Sequence, residues 1–232
     1  MQADRAALFR THGYLRLDGF HPKDRMHPLK EHIGKELRRL NMGVAGKGIS
    51  RQIKGMPIFQ QITRVSNSIK VPGLQSTLMT SELLALMGEL AGGALSCPQD
   101  AQLLLSLPQQ GDWSLSGLNW HVDISIDARN RLPGIQAFVL IDDVAPRGGA
   151  TLAIAGSHRI EPGSAARHSL RDILKAPSGI EKVLRDMDLD VIEMSGRAGD
   201  VVLMDLRLLH APSINSTRHT RMMATARYFL AH

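Results

Sequence analysis

The block Asn119-Trp120-His121-Val122-Asp123 sets an imidazole and a carboxylate two residues apart. In an extended strand, residues i and i+2 point to the same side, so His121 and Asp123 could bind one metal ion together. A chain with 10 histidines carries roughly 0.6 His-x-Asp pairs by chance, so the block needs support. That support is GRAGDVVLMDLRLLHAP (196–212), where a strand from Asp200 to Leu206 delivers His210 just beyond its end. Two imidazoles and one carboxylate make the facial set of non-haem Fe(II) oxygenases, which leaves positions open for cosubstrate and oxygen. Nitrogen and oxygen ligands suit Mn(II), Co(II) or Ni(II) as well, so the ligand set alone does not specify iron.

Eleven residues past His210, Arg221 opens the final strand-like segment. The intervening APSINSTRHT reads as a turn, so that strand can run back beside the metal, where an arginine can grip a carboxylate with two hydrogen bonds. Arg218 and Arg227 compete for this role. Arg218 sits in the turn and reads as solvated. Arg227, six residues on, shares the face of Arg221 but lies further along the strand. A third element, DDVAPRGGATLAIAGSHR (142–159), reads as a strand, a turn with Pro146 and Gly148–Gly149, and a second strand. From its residues alone it is an ordinary hairpin with a capping Ser157-His158 end.

These residues need a scaffold, and the pattern supplies one. Short strand-like runs at 101–107, 117–125, 135–144, 150–156, 189–195, 200–206 and 221–230 are separated by Gly, Pro and Asp. Strands at this density predict a barrel or sandwich of two sheets. Residues 4–12 read as a helix and 13–20 as a short strand. A helix is expected after Pro28 with Leu29, Ile33, Leu37 and Leu40 near one face. Residues 81–92 form another helix, capped by Ser81 and ended by Gly92–Gly93. The segment 42–73 is patterned poorly and reads as a long loop or lid with short structured pieces. Residues 164–176 and 180–187 read as helices interrupting the strands, and the N-terminal helices are expected to cover one face of the β core.

Composition narrows the class. The 232 residues suit one domain, and 22% charged with 43% hydrophobic residues is a globular balance. The apolar runs are too short to span a bilayer, and MQADRAALFR has no apolar signal core. The single cysteine, Cys97, excludes an intrachain disulfide and a multi-thiolate zinc site and fits a reducing, cytoplasmic setting. The net charge of +6 is uneven: residues 1–70 hold 14 basic against 5 acidic side chains, and 71–146 hold 2 against 8. A basic end can bind nucleic acid or steer anionic substrates, but 4% aromatic residues make a poor base-stacking platform.

Together and in this order, Trp-His-x-Asp at 120–123, DDVAPRGGATLAIAGSHR, GRAGDVVLMDLRLLH and the arginine eleven residues after the distal histidine resemble the phytanoyl-CoA dioxygenase family of Fe(II)/2-oxoglutarate-dependent oxygenases. The opening FRTHGYLRLDGFHP is similar to the start of many members. The resemblance covers most of the chain, with 42–100 the least matched. It implies a mainly β fold with flanking α-helices on a double-stranded β-helix (jelly-roll, cupin-like) core. It implies one domain over 1–232, with helices and lid over 1–95 and core over 96–232.

The resemblance carries over His121, Asp123 and His210 as iron ligands and catalytic centre, and Arg221 as partner of the distal carboxylate of 2-oxoglutarate. Thr151 is carried over as a further contact to that cosubstrate. The cofactors implied are Fe(II), 2-oxoglutarate and O2. The reaction implied is oxidation of an unactivated C–H bond of a small molecule, with release of succinate and CO2. Ala155 stands where many relatives have proline, and Pro212 where many have serine, which leaves Ser213 or Thr151 to supply a hydroxyl. Asp123 stands where related halogenases have Gly or Ala, which argues against chlorination. Gln102 and Gln136 could point into the cavity, and Arg51, Lys54, Arg64, Arg129 and Arg131 could meet an anionic substrate group. Two other readings compete: a cupin-like metal isomerase or lyase that does not use oxygen, and a basic nucleic-acid-binding module.

Overall fold

The computed structural model describes residues 2–42, 52–53, 55–124, 132–176 and 179–231. Helix α1 (Gln2–His12) leads into strand β1 (Tyr14–Leu17) and helix α2 (Lys23–Arg39). Helices α3 (Ile58–Asn67), α4 (Leu74–Leu78) and α5 (Ser81–Ala91) precede strands β2 (Leu95–Ser96) and β3 (Gln102–Ser106). Then come β4 (Gly134–Leu140) and β5 (Thr151–Ala155), a 3-10 turn at Ser157–Arg159, and helices α6 (Ala165–Ile173) and α7 (Ile180–Asp186). Strands β6 (Asp190–Glu193), β7 (Val201–Asp205), β8 (His210–Pro212) and β9 (Arg221–Leu230) complete the chain.

Two antiparallel sheets result. The larger has the order β1-β7-β4-β9-β2, with β3 also paired to β9, and the smaller has the order β6-β5-β8. From β4 onward the chain passes repeatedly between the sheets, so they face each other across one interior. Phe138, Leu140, Val202, Met204 and Met223 of the larger sheet meet Ala153 of the smaller in that interior. The alternate residues Ala137, Val139, Leu203, Met222, Ala224 and Tyr228 pack outward with Met26, Ile33, Leu83 and Met87 of the helices. This is the alternation that a pleated strand imposes, and the N-terminal helices do cover one face of the β core. Leu170, Leu174, Ile180 and Leu184 from α6 and α7 pack with Leu152 and Ile154 on the outside of the smaller sheet.

The helical boundaries depart from expectation in three places. Helix α2 begins at Lys23, before Pro28. Met26 is 1% exposed and joins Leu29, Ile33 and Leu37 in one buried stripe. Burial of a side chain of that size is worth about 1.5–3 kcal/mol, which offsets much of the cost of an interior proline. The cap of α5 is Thr80, whose hydroxyl accepts from the Leu83 backbone amide, not Ser81. The segment read as a loop or lid contains α3, a packed helix. Ile62, Val65 and Ser66 are buried, and the Ser66 hydroxyl accepts a 2.8 Å hydrogen bond from the Leu105 amide of β3. The rest of that segment includes positions outside the described residues.

Two corrections bear on the site. No strand runs over the described part of 117–125, 117–124; His121 makes a single antiparallel bridge, to His210, and Asp123 lies in a bend beyond it. His210 is not a trailing end of β7 but the first residue of β8, on the opposite sheet. The sharp passage over 206–209 moves it across the interior, and that bridge replaces the strand expected to align His121 with Asp123.

Candidate active site

The bridge between His121 and His210 is closed by both backbone hydrogen bonds, each 2.9 Å. It brings the two rings to a centroid separation of 4.3 Å. In each ring Nδ1 faces the carbonyl oxygen two residues upstream, Asn119 at 2.8 Å and Leu208 at 3.0 Å. A carbonyl only accepts, so Nδ1 carries the proton and Nε2 keeps its lone pair free for a metal. Asp123 Oδ2 lies 3.7 Å from His210 Nε2. One donor atom from each of His121, Asp123 and His210 falls within 4.8 Å of the others. Burial pushes the pKa of His210 down to about 4, so its ring is neutral near neutral pH, the form that ligates metals.

Packing holds His210 in place. The Phe138 ring stands edge-on to it at 6.5 Å. The Ser157 hydroxyl accepts from the Leu209 amide at 2.9 Å, and the Ser157 carbonyl accepts from the Arg167 guanidinium at 3.0 Å. The Gly-Ser-His block is therefore more than a hairpin end: it fixes the residue before a candidate ligand. His158 Nε2 lies 3.0 Å from the Arg10 carbonyl, and a side chain at Gly13 (φ +78°) would collide with its ring.

Arg221 and Arg227 both point inward, on the face of β9 shared with Met223. Arg221 is 2% exposed. Its Nη1 donates to the Gly149 carbonyl, while among the described residues Nε and Nη2 find no partner. Burial alone pushes its pKa down to about 9, so it is a guanidinium in want of an anion. A β-carbon at Gly149 (φ +78°) would sit 2.8 Å from Asn215 Cβ and 3.0 Å from Ser106 Oγ. Only glycine leaves room there for the close approach of β3 and the 213–220 turn. That turn is organised by buried Asn215, which donates to the Ser106 and His219 carbonyls. Arg227, by contrast, grips Asp123 with both ends of its fork, Nε to Oδ2 at 3.1 Å and Nη2 to Oδ1 at 3.0 Å. Sequence spacing placed the two arginines on one face but could not show that one of them holds a candidate ligand.

The remaining candidates separate clearly. Thr151 is buried, paired with Pro212, and two residues from Ala153, which faces His210. Ser213 is buried and donates to the Ala150 carbonyl at 2.7 Å. Gln136 is buried beside Arg227, and its Nε2 donates to the Thr225 hydroxyl at 2.9 Å. That hydroxyl donates to the Ala137 carbonyl, so the free end of the amide is Oε1, a buried acceptor without a partner among the described residues. Gln102 is opposite Thr225 but exposed. Arg218 and Arg64 are exposed. Arg51, Lys54, Arg129 and Arg131 lie outside the described residues. A charged hollow of about 690 Å³ lies elsewhere, lined by Arg16, Lys30, Asp142, Arg197 and Arg221, and none of the three clustered ligands borders it.

The sequence profile of the phytanoyl-CoA dioxygenase (PhyH) family matches residues 9–223. No curated protein sequence matches the chain. Among solved structures, the chain is similar to the non-haem α-ketoglutarate-dependent carbocyclase SnoK from nogalamycin biosynthesis. There the TM-score is 0.65 at 18% identity, covering 98% of this chain and 83% of that one. It is similar to AviO1 from Streptomyces viridochromogenes Tue57, with TM-score 0.64 at 17% identity over 99% and 95%. It is also similar to EctD from S. alaskensis, solved with 2-oxoglutarate and 5-hydroxyectoine, with TM-score 0.65 at 18% identity over 99% and 76%. These likenesses extend over nearly the whole chain and agree with the expected jelly-roll core.

Proposed function

The chain belongs to the phytanoyl-CoA dioxygenase family, and on that footing we propose that it is an Fe(II)/2-oxoglutarate-dependent dioxygenase oxidising an unactivated C–H bond of a small molecule. His121, Asp123 and His210 would hold the metal, and Arg221 the distal carboxylate of 2-oxoglutarate, with the whole chain acting as one catalytic domain. The observation that carries this reading is the pairing of two unfilled needs in one interior. Three donor atoms converge within 4.8 Å, and a fully buried guanidinium keeps two nitrogens that find no partner among the described residues.

The residues fit the groups they would bind. Both Nε2 lone pairs are free, and the buried Arg221 needs an anion. The strands from His210 towards Arg221 offer Ala153, Thr151 and Gly149 as a wall. Iron with 2-oxoglutarate and O2 would supply the oxidising power, releasing succinate and CO2. The chain's own contribution is orientation and dryness. Arg221 fixes one end of the cosubstrate, Thr151 offers a hydroxyl along it, and Met223, Leu140 and Phe138 exclude water.

The outcome would be hydroxylation, oxidative cyclisation or desaturation, on a secondary metabolite, sugar or amino-acid derivative. Support comes from the carbocyclase of nogalamycin biosynthesis and the 5-hydroxyectoine-bound EctD among similar structures. Gln136 would contact the substrate, since its buried Oε1 needs a donor, and Gln102 would line the approach. A cytoplasmic setting accords with the free thiol of Cys97. No described helix is long and apolar enough to cross a membrane.

The test is anaerobic. Fe(II) followed by 2-oxoglutarate is added to metal-free protein, and the weak visible charge-transfer band is recorded. We expect the band in the wild type and none in His210→Ala. Metal binding without a band would favour the oxygen-independent metal enzyme, and no metal binding would end the oxygenase reading.

A further inference from the structure

We propose that Arg227 is a positioning residue for the metal site: it holds Asp123 by both carboxylate oxygens, so that Oδ2 is turned towards His210 and a bound metal ion receives one oxygen and not two. This rests on the metal-site reading above and assigns a role within it to a residue that touches none of the reacting groups.

The need for such a residue follows from the backbone. His121 is tied to β8 by two hydrogen bonds, but Asp123 lies two residues further on, in a bend, outside any ladder. Among the described residues, Arg227 makes the only side-chain hydrogen bonds to Asp123. The carboxylate is nearly buried, with 9% of its side chain exposed, whereas 39% of the Arg227 side chain is exposed. A carboxylate on an unpaired bend has several rotamers available, and a planar guanidinium selects one. Arg227 can do this because it belongs to β9, paired on one side through Gln136 of β4. A ligand on an irregular segment thus borrows its orientation from a strand.

The fork also divides the two oxygens. Nη2 takes Oδ1, and Nε takes Oδ2, the oxygen 3.7 Å from His210 Nε2. With Oδ1 held on Nη2 and Oδ2 the oxygen near His210, chelation of a metal by both oxygens would be disfavoured and a coordination position would be spared for cosubstrate.

Arginine and metal are both cations, so the sign of the effect is diagnostic. A residue that merely fills the place of the metal would compete with it, and its removal would tighten metal binding. A positioning residue would weaken metal binding on removal. The partial exposure of Arg227 lets solvent and salt screen its charge, while its geometric effect on Asp123 is unscreened, so we expect positioning to win.

The experiment titrates metal-free full-length protein with Co(II), read by the visible ligand-field spectrum, for wild type, Arg227→Ala, Arg227→Lys and Asp123→Ala. Thermal melts of the metal-free forms verify folding. Arg227→Ala should lose about 10–100-fold in Co(II) affinity, the usual cost of removing a group that orients a ligand. Arg227→Lys should recover part of the loss, because an ammonium can still hold one oxygen. The ligand-field band of Arg227→Ala should also change shape as Asp123 becomes free to chelate. Unchanged or tighter Co(II) binding in a folded Arg227→Ala would overturn the inference while leaving the metal site standing. Failure of the wild type to bind Co(II) would remove the metal-site reading itself, and this inference with it.

Discussion

Arg221 and Arg227 share one face of one strand, about 20 Å apart along it at the usual rise, yet they live under different physics. Arg221 is fully buried, with one backbone acceptor and two nitrogens idle among the described residues. Arg227 is partly exposed and spends its fork on Asp123. The same side chain is in one place an unmet demand for an anion and in the other a finished ion pair. An arginine's chemistry is set by what its surroundings leave unsatisfied, not by its type.

The largest expected effect tests the two roles directly. Arg221→Ala should cost about 3 kcal/mol of 2-oxoglutarate binding to the metal-loaded protein, roughly two orders of magnitude, as for other buried charge partners. Titration of 2-oxoglutarate against the charge-transfer band measures it. If Arg227→Ala abolished 2-oxoglutarate affinity and Arg221→Ala spared it, the two assignments would have to be exchanged.

A second experiment separates function from stability. Without cosubstrate, the buried guanidinium of Arg221 is a liability. Arg221→Met should therefore stabilise the metal-free protein by about 1–4 kcal/mol, the range seen when buried charges give way to apolar packing. Added metal and 2-oxoglutarate should raise the melting temperature of the wild type and leave that of the variant almost unmoved. Destabilisation in Arg221→Met would mean that the Gly149 contact outweighs the desolvation cost.

The smallest effect concerns pH. Burial depresses the pKa of His21 and His210 to about 4 and lowers that of His158. The folded state prefers these rings neutral, so the unfolded chain takes up protons first, at about 6.5. Their contribution is complete above about pH 6.5 and is lost as pH falls towards 4. Melting temperatures of the metal-free protein should decline over that window. His210→Ala should make the decline shallower and Arg221→Met should not, which assigns part of the sensitivity to the metal end of the interior. An equal decline in all three proteins would remove His210 from the account.

Much of this architecture was legible beforehand. Short apolar runs bounded by Gly, Pro and Asp announced β4, β5, β7 and β9 to within a few positions, because strands buried on both faces select apolar side chains along their length. The stripe of α2 was readable for the same reason at helical period. What was missed shares one cause: its signal is not local. Helix α3 hides in a polar-looking segment because its packing partner, β3, lies about forty residues away. Strand β8 has three residues, too few to show a period. Ser157 looks like a cap until Leu209 arrives from another part of the chain.

The sequence alone determined which residues could act: two histidines and an aspartate of ligating type, and an arginine eleven positions after the second histidine. It also determined the β core that carries most of them, since periodicity is written residue by residue. Only the tertiary structure decided how they meet. The bridge between His121 and His210, the burial that leaves Arg221 wanting an anion, and the grip of Arg227 on Asp123 join residues up to 104 positions apart. Desolvation and hydrogen-bond geometry depend on neighbours in space, and a linear order of residue types does not contain them.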